Sequence, residues 1–375
     1  MIIKKKVAIV YDWIDKWGGV ERVLLALHSM FPKASLFTSC YDADKAKWAR
    51  NIDIVPSFIN RLPFIRSNRL LSFFLYPLAF ESFDFSHYDI VISVSSSFAK
   101  SIITKPGTLH ICYLLTPTRY LWIYPENYIS SSLRLIFSPI LNQIKEWDKI
   151  ASNRPDKFIS ISKLVSKRSF KTYQKKTDVI YPPFDTTYWK NIKIDLHKSF
   201  TTNTFKLPKN FFLVVSRLEP YKKIDLLVKT FTKVKKNLII VGKGSQLQRI
   251  KSYSGNTIQF LQDLSDKELA FLYQHAEATI MPQEEDFGYV AVEAQFMGCP
   301  VISYSKSGVS EIIAQNKTGI FFHKQSVQSI RKVLERFDQI SYNLKRASVQ
   351  YGEEISKKFD FSNFQNKLHV LIQNL

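Results

Sequence analysis

The chain has 375 residues, of which 45% are hydrophobic, and a formal net charge of +21. A chain of this length is too long for a single hydrophobic core and suits two domains, each of which is able to bury a core of its own. The basic surplus calls for an anionic partner, and the longest apolar run, residues 70–80, is interrupted by Pro77 and too short to span a membrane, which takes about 20 residues.

Two features of the sequence indicate a reducing compartment. The N-terminus has a basic start and only a short apolar run before Asp12, which is typical of a first strand and not of a signal peptide. The three cysteines, Cys40, Cys112 and Cys299, lie far apart and outside any Cys/His cluster. We therefore expect buried thiols, no disulfide, no metal site and a cytoplasmic protein that is soluble or peripheral to a membrane.

The first half of the chain alternates strand-like apolar runs with segments of helical periodicity. Residues 7–13 predict the first strand, and residues 18–31 predict a helix after it. Further strands are predicted at residues 35–40, 89–95, 110–116, 157–162 and 178–185. The double proline in the last of these stops regular structure.

The alternation restarts in the second half. Residues 186–208 are polar and poorly periodic, so we place an interdomain linker there. Strands are then predicted at residues 210–216, 237–242, 257–261, 278–283 and 300–305, and helices at 222–234, 245–253, 266–276 and 289–297. Alternating strands and helices of this kind indicate parallel sheets with crossover helices. The predicted fold class is α/β, with two doubly wound Rossmann-like domains.

Ligands of open parallel sheets bind beyond the carboxyl ends of the strands, where helix N-termini present unpaired N–H groups. Gly18 and Gly19 lie at such a position after the first strand. The pair allows a ligand to approach the backbone closely, and a plain tight turn is the alternative. The spacing differs from G-x-G-x-x-G, which argues against a dinucleotide-dependent dehydrogenase.

Two cations follow the first strand of the second half. Arg217 and Lys222 are placed to neutralise a diphosphate, with Arg217 as a fork of donors and Lys222 as a point charge. Ordinary surface charge at a helix start is the alternative. Gly242 and Gly244 follow the next strand and add a weak signal.

The stretch QEEDFGYVAVEAQFMGCPVIS, residues 283–303, concentrates carboxylates in this basic chain. Glu285 lies in a loop just before a predicted helix, and Glu293 lies about one turn inside it. The helix dipole favours negative charge there, and carboxylates accept hydrogen bonds from the hydroxyls of a sugar or ribose. Gly288 lets backbone N–H groups approach a ligand. The alternative is that these acids only stabilise the helix.

These residues resemble the signature of the retaining, GT-B-fold glycosyltransferases of family 4: E-x-F-G-x-x-x-x-E followed by A-x-x-x-G-x-P-V-I. Other segments look like the mannosyltransferase-like branch, which builds O-antigen and other bacterial surface polysaccharides: VAIVYDW, GGVERVL, HICYLLTPTRYLW and VVSRLEPYKKIDLLVKTF. The resemblance implies two Rossmann-like domains that face each other across a cleft. Residues 1–190 would bind the acceptor and residues 191–350 the nucleotide sugar, and a C-terminal helix in 351–375 would pack back on the N-terminal domain.

The resemblance also implies roles for individual residues. Three would act on the reacting groups: Arg217 and Lys222 on the donor diphosphate, and Glu285 on the transferred sugar. Eight would bind the nucleotide sugar in other ways: Glu293 at the ribose, the backbone of Phe287, Gly288, Tyr289 and Val290 at the sugar, Gly18 and Gly19 at the diphosphate from the opposite domain, and Gly242 in the nucleotide pocket. No metal and no further cofactor is implied.

The implied reaction moves a hexose, mannose from GDP-mannose, to a glycan or lipid-linked acceptor with retention at the anomeric carbon. A lipid-linked acceptor places the protein at the inner face of the cell membrane, and an anionic bilayer suits its basic surface. Residues 58–80 are the first candidate contact, and residues 162–176, with six Lys or Arg and no acid, are the second. A solvated helix face is the alternative for both.

Two departures from the family pattern stand out. Leu115 occupies the histidine position of Y-x-H-T-P, and Gln262 stands where glycine is frequent. Leu115 motivates a non-catalytic nucleotide-sugar-binding protein as one alternative, and a UDP-sugar-dependent hexosyltransferase is another. A sugar epimerase or dehydrogenase lacks its G-x-G-x-x-G and Tyr-x-x-x-Lys motifs here. A nucleic-acid binder is not predicted, because we find no base-reading motif in the basic stretches.

Overall fold

The computed structural model describes residues 5–62, 69–127, 134–135, 137–199 and 207–375, with side chains at most of these positions. The chain divides into two compact units, which we call unit 1 and unit 2. Unit 1 comprises Met1–Pro183 and Phe364–Leu375, and unit 2 comprises Phe184–Asn363. The sequence prediction had placed the domain limits at 190 and 350.

Unit 1 contains a seven-stranded parallel sheet in the order β3-β2-β1-β4-β5-β6-β7. The strands are β1 Val7–Tyr11, β2 Ser35–Thr38, β3 Ile54–Pro56, β4 Ile90–Ser95, β5 Leu109–Leu114, β6 Lys157–Ser160 and β7 Asp178–Val179. The helices are α1 Gly19–Met30, α2 Arg69–Glu81, α3 Arg119–Trp122, α4 Ser138–Ala151 and α5 Lys163–Tyr173. The order reverses between β1 and β4, which makes that boundary the switch point of this sheet.

Unit 2 contains a six-stranded parallel sheet in the order β10-β9-β8-β11-β12-β13. The strands are β8 Phe211–Val215, β9 Asn237–Val241, β10 Ile258–Leu261, β11 Thr279–Met281, β12 Val301–Tyr304 and β13 Gly319–Phe322. The helices are α6 Thr186–Ser199, α7 Ile224–Val234, α8 Leu247–Lys251, α9 Asp266–His275, α10 Tyr289–Phe296, α11 Val327–Lys357 and α12 Phe361–Gln373. The last ten residues of α12 belong to unit 1, where the Phe364 ring meets Tyr113 edge-on at 5.8 Å.

The strands that the sequence predicted are present because parallel strands are buried on both faces and read as continuous apolar runs. All five residues of β1 are buried, and the same holds for the six residues of β4. The two sheets confirm the predicted fold class of two Rossmann-like domains. All three cysteines are buried, as predicted.

The linker prediction for residues 186–208 was wrong over its first part, where α6 forms. Trp189 and Ile192 are three residues apart on one helix face and are both buried. The Trp189 ring stacks on Phe184 with centroids 6.0 Å apart. Tertiary packing of two large side chains therefore holds a helix whose sequence is too polar to show clear periodicity.

A polar cluster lies in the interior of unit 1. The Lys100 ammonium donates to Asp148 Oδ1 at 2.6 Å and to Thr118 Oγ1 at 3.0 Å, and both charged side chains are almost completely buried. The second carboxylate oxygen of Asp148 accepts from Trp122 Nε1 and from the Tyr173 hydroxyl, each at 2.8 Å. The cluster thus joins α4, α5 and the loop after β5 through one carboxylate.

Another buried titratable group, His110, lies on β5. Its Nε2 is 2.8 Å from Ser93 Oγ on β4, and the ring is fully buried. Burial, helped by the nearby Arg154 cation, lowers the pKa of His110 from its ordinary value of 6.5 to about 3. The imidazole is therefore neutral in the folded protein at neutral pH.

We expect His110 to make unit 1 less stable as the pH falls. Between pH 6.5 and about 3 the unfolded chain binds a proton at His110 that the folded chain does not bind, so the free energy of unfolding decreases through this window. The slope is about 1.4 kcal/mol per pH unit, so the whole loss is of the order of 5 kcal/mol, of which about 3 kcal/mol falls above pH 4. Urea unfolding of the wild type and of His110→Gln from pH 7 to pH 4 measures it. Equal slopes for the two proteins would contradict the prediction.

Within the described ranges, no helix has the length and apolar character to cross a bilayer.

Candidate active site

The switch point of the second sheet brings two charged loops together. β8 and β11 are neighbours, and Leu213 of β8 pairs with Thr279 of β11. Arg217 and Gln283 each lie four residues after this pair, beyond the ends of their strands. The loop after β8 carries both predicted diphosphate ligands, and the loop after β11 carries the predicted sugar ligand Glu285.

Lys222 and Glu285, which are 63 residues apart in sequence, are in direct contact. Lys222 Nζ lies 2.5 Å from Glu285 Oε1, and the side chains are 12% and 22% exposed. Gln283 Nε2 donates to the same carboxylate oxygen at 2.8 Å. The carboxylate is thus held in one orientation. An ammonium group has three donors, so Lys222 has the capacity to bond a second anion beside Glu285.

Arg217 is exposed and lies in the loop after β8, five residues before Lys222. Its guanidinium carbon is 5.9 Å from the centre of the Tyr221 ring, and Lys222 Nζ is 5.4 Å from it. One aromatic ring therefore contacts both cations, and the structure brings all three predicted reacting residues, Arg217, Lys222 and Glu285, to one place in unit 2.

The loop that carries Glu285 rests on the turn after β12. The Gly308 amide donates to the Glu285 carbonyl at 2.8 Å, and the Glu285 amide donates to Ser307 Oγ at 3.0 Å. A Cβ atom at Gly308 would lie 2.3 Å from the Asp286 carbonyl oxygen, so only glycine permits this approach. Sequence reasoning missed Ser307 and Gly308; the Ser-Gly pair just after a predicted strand was the signal.

The start of α10 supplies backbone donors beside the acids. Gly288 is the N-cap with φ +110°, a conformation that favours glycine, and no side chain caps the helix. The N–H groups of its first turn, which include those of Tyr289 and Val290, point towards the N-terminal end. The Phe287 side chain is buried, with its ring 5.2 Å from that of Phe359, so Phe287 offers a ligand only its backbone.

Glu293 lies inside α10 and is buried with an exposed fraction of 3%. The hydroxyl of Tyr273, on α9, donates to Glu293 Oε2 at 2.9 Å. This bond fixes the orientation of the carboxylate. Tyr273 is a third residue that sequence reasoning missed, because nothing near residue 273 resembles a ligand-binding motif.

The glycines predicted to line the donor site have different surroundings. Gly242, with φ +149°, lies against the loop after β8, where a Cβ atom would be 1.9 Å from the Ser216 carbonyl oxygen. Loop packing thus accounts for this glycine, and its nucleotide-binding role stays a prediction. Gly18 and Gly19 open α1 in unit 1, and Gly18 is extended with φ −176°. Neither has the positive φ that the pair allows.

Leu115 directly follows β5, and its side chain is buried. Its amide donates to the Ser95 carbonyl at 2.8 Å. The Leu115 side chain is therefore an apolar group packed in the interior of unit 1. Among the residues that the structure describes, no three His, Cys, Asp or Glu side chains come together as metal ligands.

Comparison with known proteins matches residues 197–355 to the family model described as Glycosyl transferases group 1. The chain is 22% identical, over 77% of its length and 76% of the relative, to an α-1,3/1,6-mannosyltransferase, ALG2, of Dictyostelium discoideum. Several other curated relatives match over less than half of their own length.

Two solved structures are similar along almost the whole chain. A sucrose-phosphate synthase from Thermosynechococcus elongatus gives a TM-score of 0.72 at 16% identity, covering 99% of both chains. Anabaena Alr3699/HepE in complex with UDP-glucose gives 0.69 at 16% identity, covering 98% of this chain and 100% of the other. These likenesses show the GT-B fold. The matched segment contains every predicted site residue of unit 2, and together the comparisons support a glycosyltransferase.

Proposed function

We propose that the protein is a retaining hexosyltransferase that moves mannose from GDP-mannose to a glycan or lipid-linked acceptor in surface-polysaccharide synthesis, such as that of lipopolysaccharide O-antigen. The observation that carries the proposal is the Lys222–Glu285 contact at the switch point of the second sheet, with Arg217 beside it. Cations for a diphosphate and a carboxylate for a sugar lie together where such sheets bind ligands.

The cations act on the leaving group. As the bond between the sugar and the diphosphate breaks, negative charge grows on the phosphate oxygens. Arg217, Lys222 and the N-terminus of α10 stabilise that charge without reorganising, since they are held in place before the reaction begins. These groups can perform the charge neutralisation that a metal ion provides in other transferases, so we propose a metal-independent reaction with no cofactor beyond the donor.

The carboxylates act on hydroxyls. Glu285 accepts hydrogen bonds from the transferred sugar, together with the backbone at Phe287–Val290, and Glu293 accepts from the ribose. Glu285 Oε1 already accepts hydrogen bonds from Lys222 and Gln283, which makes it a weak nucleophile. This favours attack of the acceptor hydroxyl on the same face that the diphosphate leaves. The new C–O bond forms as the old one breaks, and the acceptor proton passes to the departing phosphate oxygen.

Two alternatives concern the donor and the activity. A UDP-sugar is suggested by the similarity to Alr3699/HepE with bound UDP-glucose, whereas mannose is suggested by the mannosyltransferase relative and GDP as its carrier only by the resemblance of the sequence to the mannosyltransferase-like branch. A non-catalytic nucleotide-sugar-binding protein is suggested by Leu115, which cannot hydrogen-bond through its side chain. The same donor site fits a GDP-mannose-dependent enzyme, a UDP-sugar-dependent enzyme and a non-catalytic binding protein. Ligand binding distinguishes the two donors, and an assay of sugar transfer distinguishes an enzyme from a binding protein.

A thermal-shift panel tests the donor. We expect GDP-mannose to raise the melting temperature more than GDP, UDP-glucose, UDP-GlcNAc or UDP, because only the correct donor engages both the cations and Glu285. A ligand at 100 times its Kd stabilises the folded state by about 2.7 kcal/mol. A larger shift with a UDP-sugar would identify that sugar, and not GDP-mannose, as the donor. No shift with any nucleotide sugar would contradict the proposed function.

We also propose that unit 1 contacts an anionic membrane surface, as a lipid-linked acceptor at the inner face of the cell membrane requires. Part of the first candidate segment, residues 63–68, lies outside the described residues. In its described part Phe58, Leu62 and Leu78 are exposed apolar side chains, and Arg61, which directly precedes Leu62, is also exposed. Apolar side chains next to a cation suit the interface of an acidic bilayer.

The second candidate segment forms α5. Lys163, Lys167 and Lys171 are exposed at a spacing of four residues, so they share one helix face, and Phe170 is 50% exposed. Both segments therefore combine basic and apolar side chains on the surface of unit 1.

Co-sedimentation with liposomes tests the membrane proposal. We expect neutralising Arg61, Arg66 and Arg69 to release most of the protein from vesicles with anionic lipid, at about 1 kcal/mol per charge. Three cations of α11 serve as a matched control, Arg331, Lys332 and Arg336 changed to Gln. Unchanged binding of the first variant would count against residues 58–80, and the same test on Lys163, Lys167 and Lys171 examines α5.

A further inference from the structure

Gln283 lies two residues beyond β11 and two residues before Glu285. The proposed reaction uses only its NH₂ group, through the hydrogen bond to Glu285 Oε1, and leaves its amide oxygen without a role. Gln283 is 3% exposed. The carbonyl of the preceding residue, Pro282, accepts a hydrogen bond from Gln325 Nε2 at 2.7 Å. Gln283 thus lies in the loop that also carries the predicted sugar ligand Glu285.

The orientation of the Gln283 amide follows from its neighbour. Glu285 Oε1 already accepts a hydrogen bond from Lys222, and a carboxylate oxygen accepts hydrogen bonds but does not donate them. The Gln283 group facing it at 2.8 Å must be the NH₂. The amide oxygen, Oε1, therefore points away from Glu285.

That oxygen is the unusual atom of the site. Gln283 Oε1 is buried, and within the described part of the chain no protein donor lies within hydrogen-bonding distance of it. A buried carbonyl without a donor is unfavourable, and native proteins seldom retain one without a reason. A carbonyl oxygen beside a sugar-binding carboxylate calls for a hydroxyl, since hydroxyls are the donors that a hexose offers.

We propose that Gln283 is a specificity-determining residue whose Oε1 accepts a hydrogen bond from one hydroxyl of the transferred hexose. The inference rests on the proposed function, in which the sugar of the donor lies at Glu285. It deepens that function by stating the donor class: a hexose that keeps this hydroxyl free, as opposed to a deoxy sugar at that carbon. A site with a buried acceptor rejects the analogue that lacks the hydroxyl, because the acceptor then stays unpaired.

Calorimetric titration of the wild type and of Gln283→Met tests the proposal. Met keeps the length of the side chain but removes both hydrogen-bonding groups. The probes are GDP-mannose and UDP-glucose, the nucleotides GDP and UDP, and the monodeoxy forms of each hexose on its nucleotide. Gln325→Met is the matched control, because it removes a different amide that bonds the same loop, at the Pro282 carbonyl.

We expect Gln283→Met to bind the nucleotide sugar about tenfold more weakly and the free nucleotide as tightly as the wild type. One monodeoxy donor should bind about tenfold more weakly than its parent to the wild type and to Gln325→Met, but equally to Gln283→Met. The proposal would be overturned if Gln283→Met lost as much affinity for the free nucleotide as for the nucleotide sugar. It would also be overturned if each monodeoxy donor were weakened equally in the wild type, Gln283→Met and Gln325→Met. If the wild type binds nucleotides but gains nothing from the sugar, the assignment of Gln283 fails. If it binds no nucleotide at all, the proposed function fails with it.

Discussion

Replacing Lys222 with alanine is expected to lower the rate of hexose transfer by at least two to three orders of magnitude, the usual effect of removing one donor that stabilises transition-state charge. Glu285→Ala should be equally damaging, because it removes the acceptor for the sugar hydroxyls and the partner that orients Lys222. Both effects are read from kcat/KM with the donor identified in the thermal-shift panel.

A nearby lysine provides the control for this pair. Lys243 lies in the loop after β9, and its ion pair with Asp263 is exposed on both sides. Lys243→Ala should leave transfer almost unchanged, since an exposed surface pair contributes little. Circular dichroism and the melting temperature must stay close to the wild type for the two site variants. Transfer at wild-type rates by folded Lys222→Ala or Glu285→Ala would remove the site assignment.

The second large effect concerns stability. We expect Asp148→Ala to lower the free energy of unfolding of unit 1 by about 3–5 kcal/mol, because it leaves the buried Lys100 ammonium without its counter-ion. The change also removes the acceptor of Trp122 and Tyr173. Urea unfolding at constant pH measures the loss.

An exposed ion pair of unit 2 shows how much of this loss is due to burial. Lys236 and Asp338 are 2.9 Å apart, but their side chains are 34% and 49% exposed. Asp338→Ala should cost less than about 1 kcal/mol. The double variant Lys100→Met/Asp148→Ala should recover part of the loss of Asp148→Ala, as no unpaired charge then stays buried. A cost for Asp148→Ala no larger than that for Asp338→Ala would contradict this interpretation of the cluster.

Much of the fold could be predicted from the sequence because buried parallel strands leave a strong signal. The apolar runs at residues 7–13, 89–95 and 210–216 correspond to β1, β4 and β8. Helix limits were predicted to within about two residues where a cap or glycine marks them, as at Ser265 before α9. Short edge strands such as β3, and α6 with its two buried anchors, lack such a signal because their burial depends on distant residues.

The residues of the candidate site were likewise predictable only where they leave a local signal in the sequence. The family resemblance assigned Lys222 and Glu285 to one donor, and in the structure the two side chains are in contact. Tyr273 was not predictable, because it acts through a contact with an element remote in sequence. Gly308 left only the Ser-Gly pair as a signal, since its contact also lies on a remote loop. Gln283 was visible in the motif, but its unpaired oxygen depends on the orientation of Glu285, which only the three-dimensional structure gives.

A crystal structure of the protein with a bound nucleotide sugar tests the central claim most directly. The account predicts the diphosphate within hydrogen-bonding distance of Arg217 and Lys222, the sugar at Glu285 and the ribose at Glu293. A nucleotide bound elsewhere on the chain, or bound at this switch point without contact to Lys222 and Glu285, would contradict it.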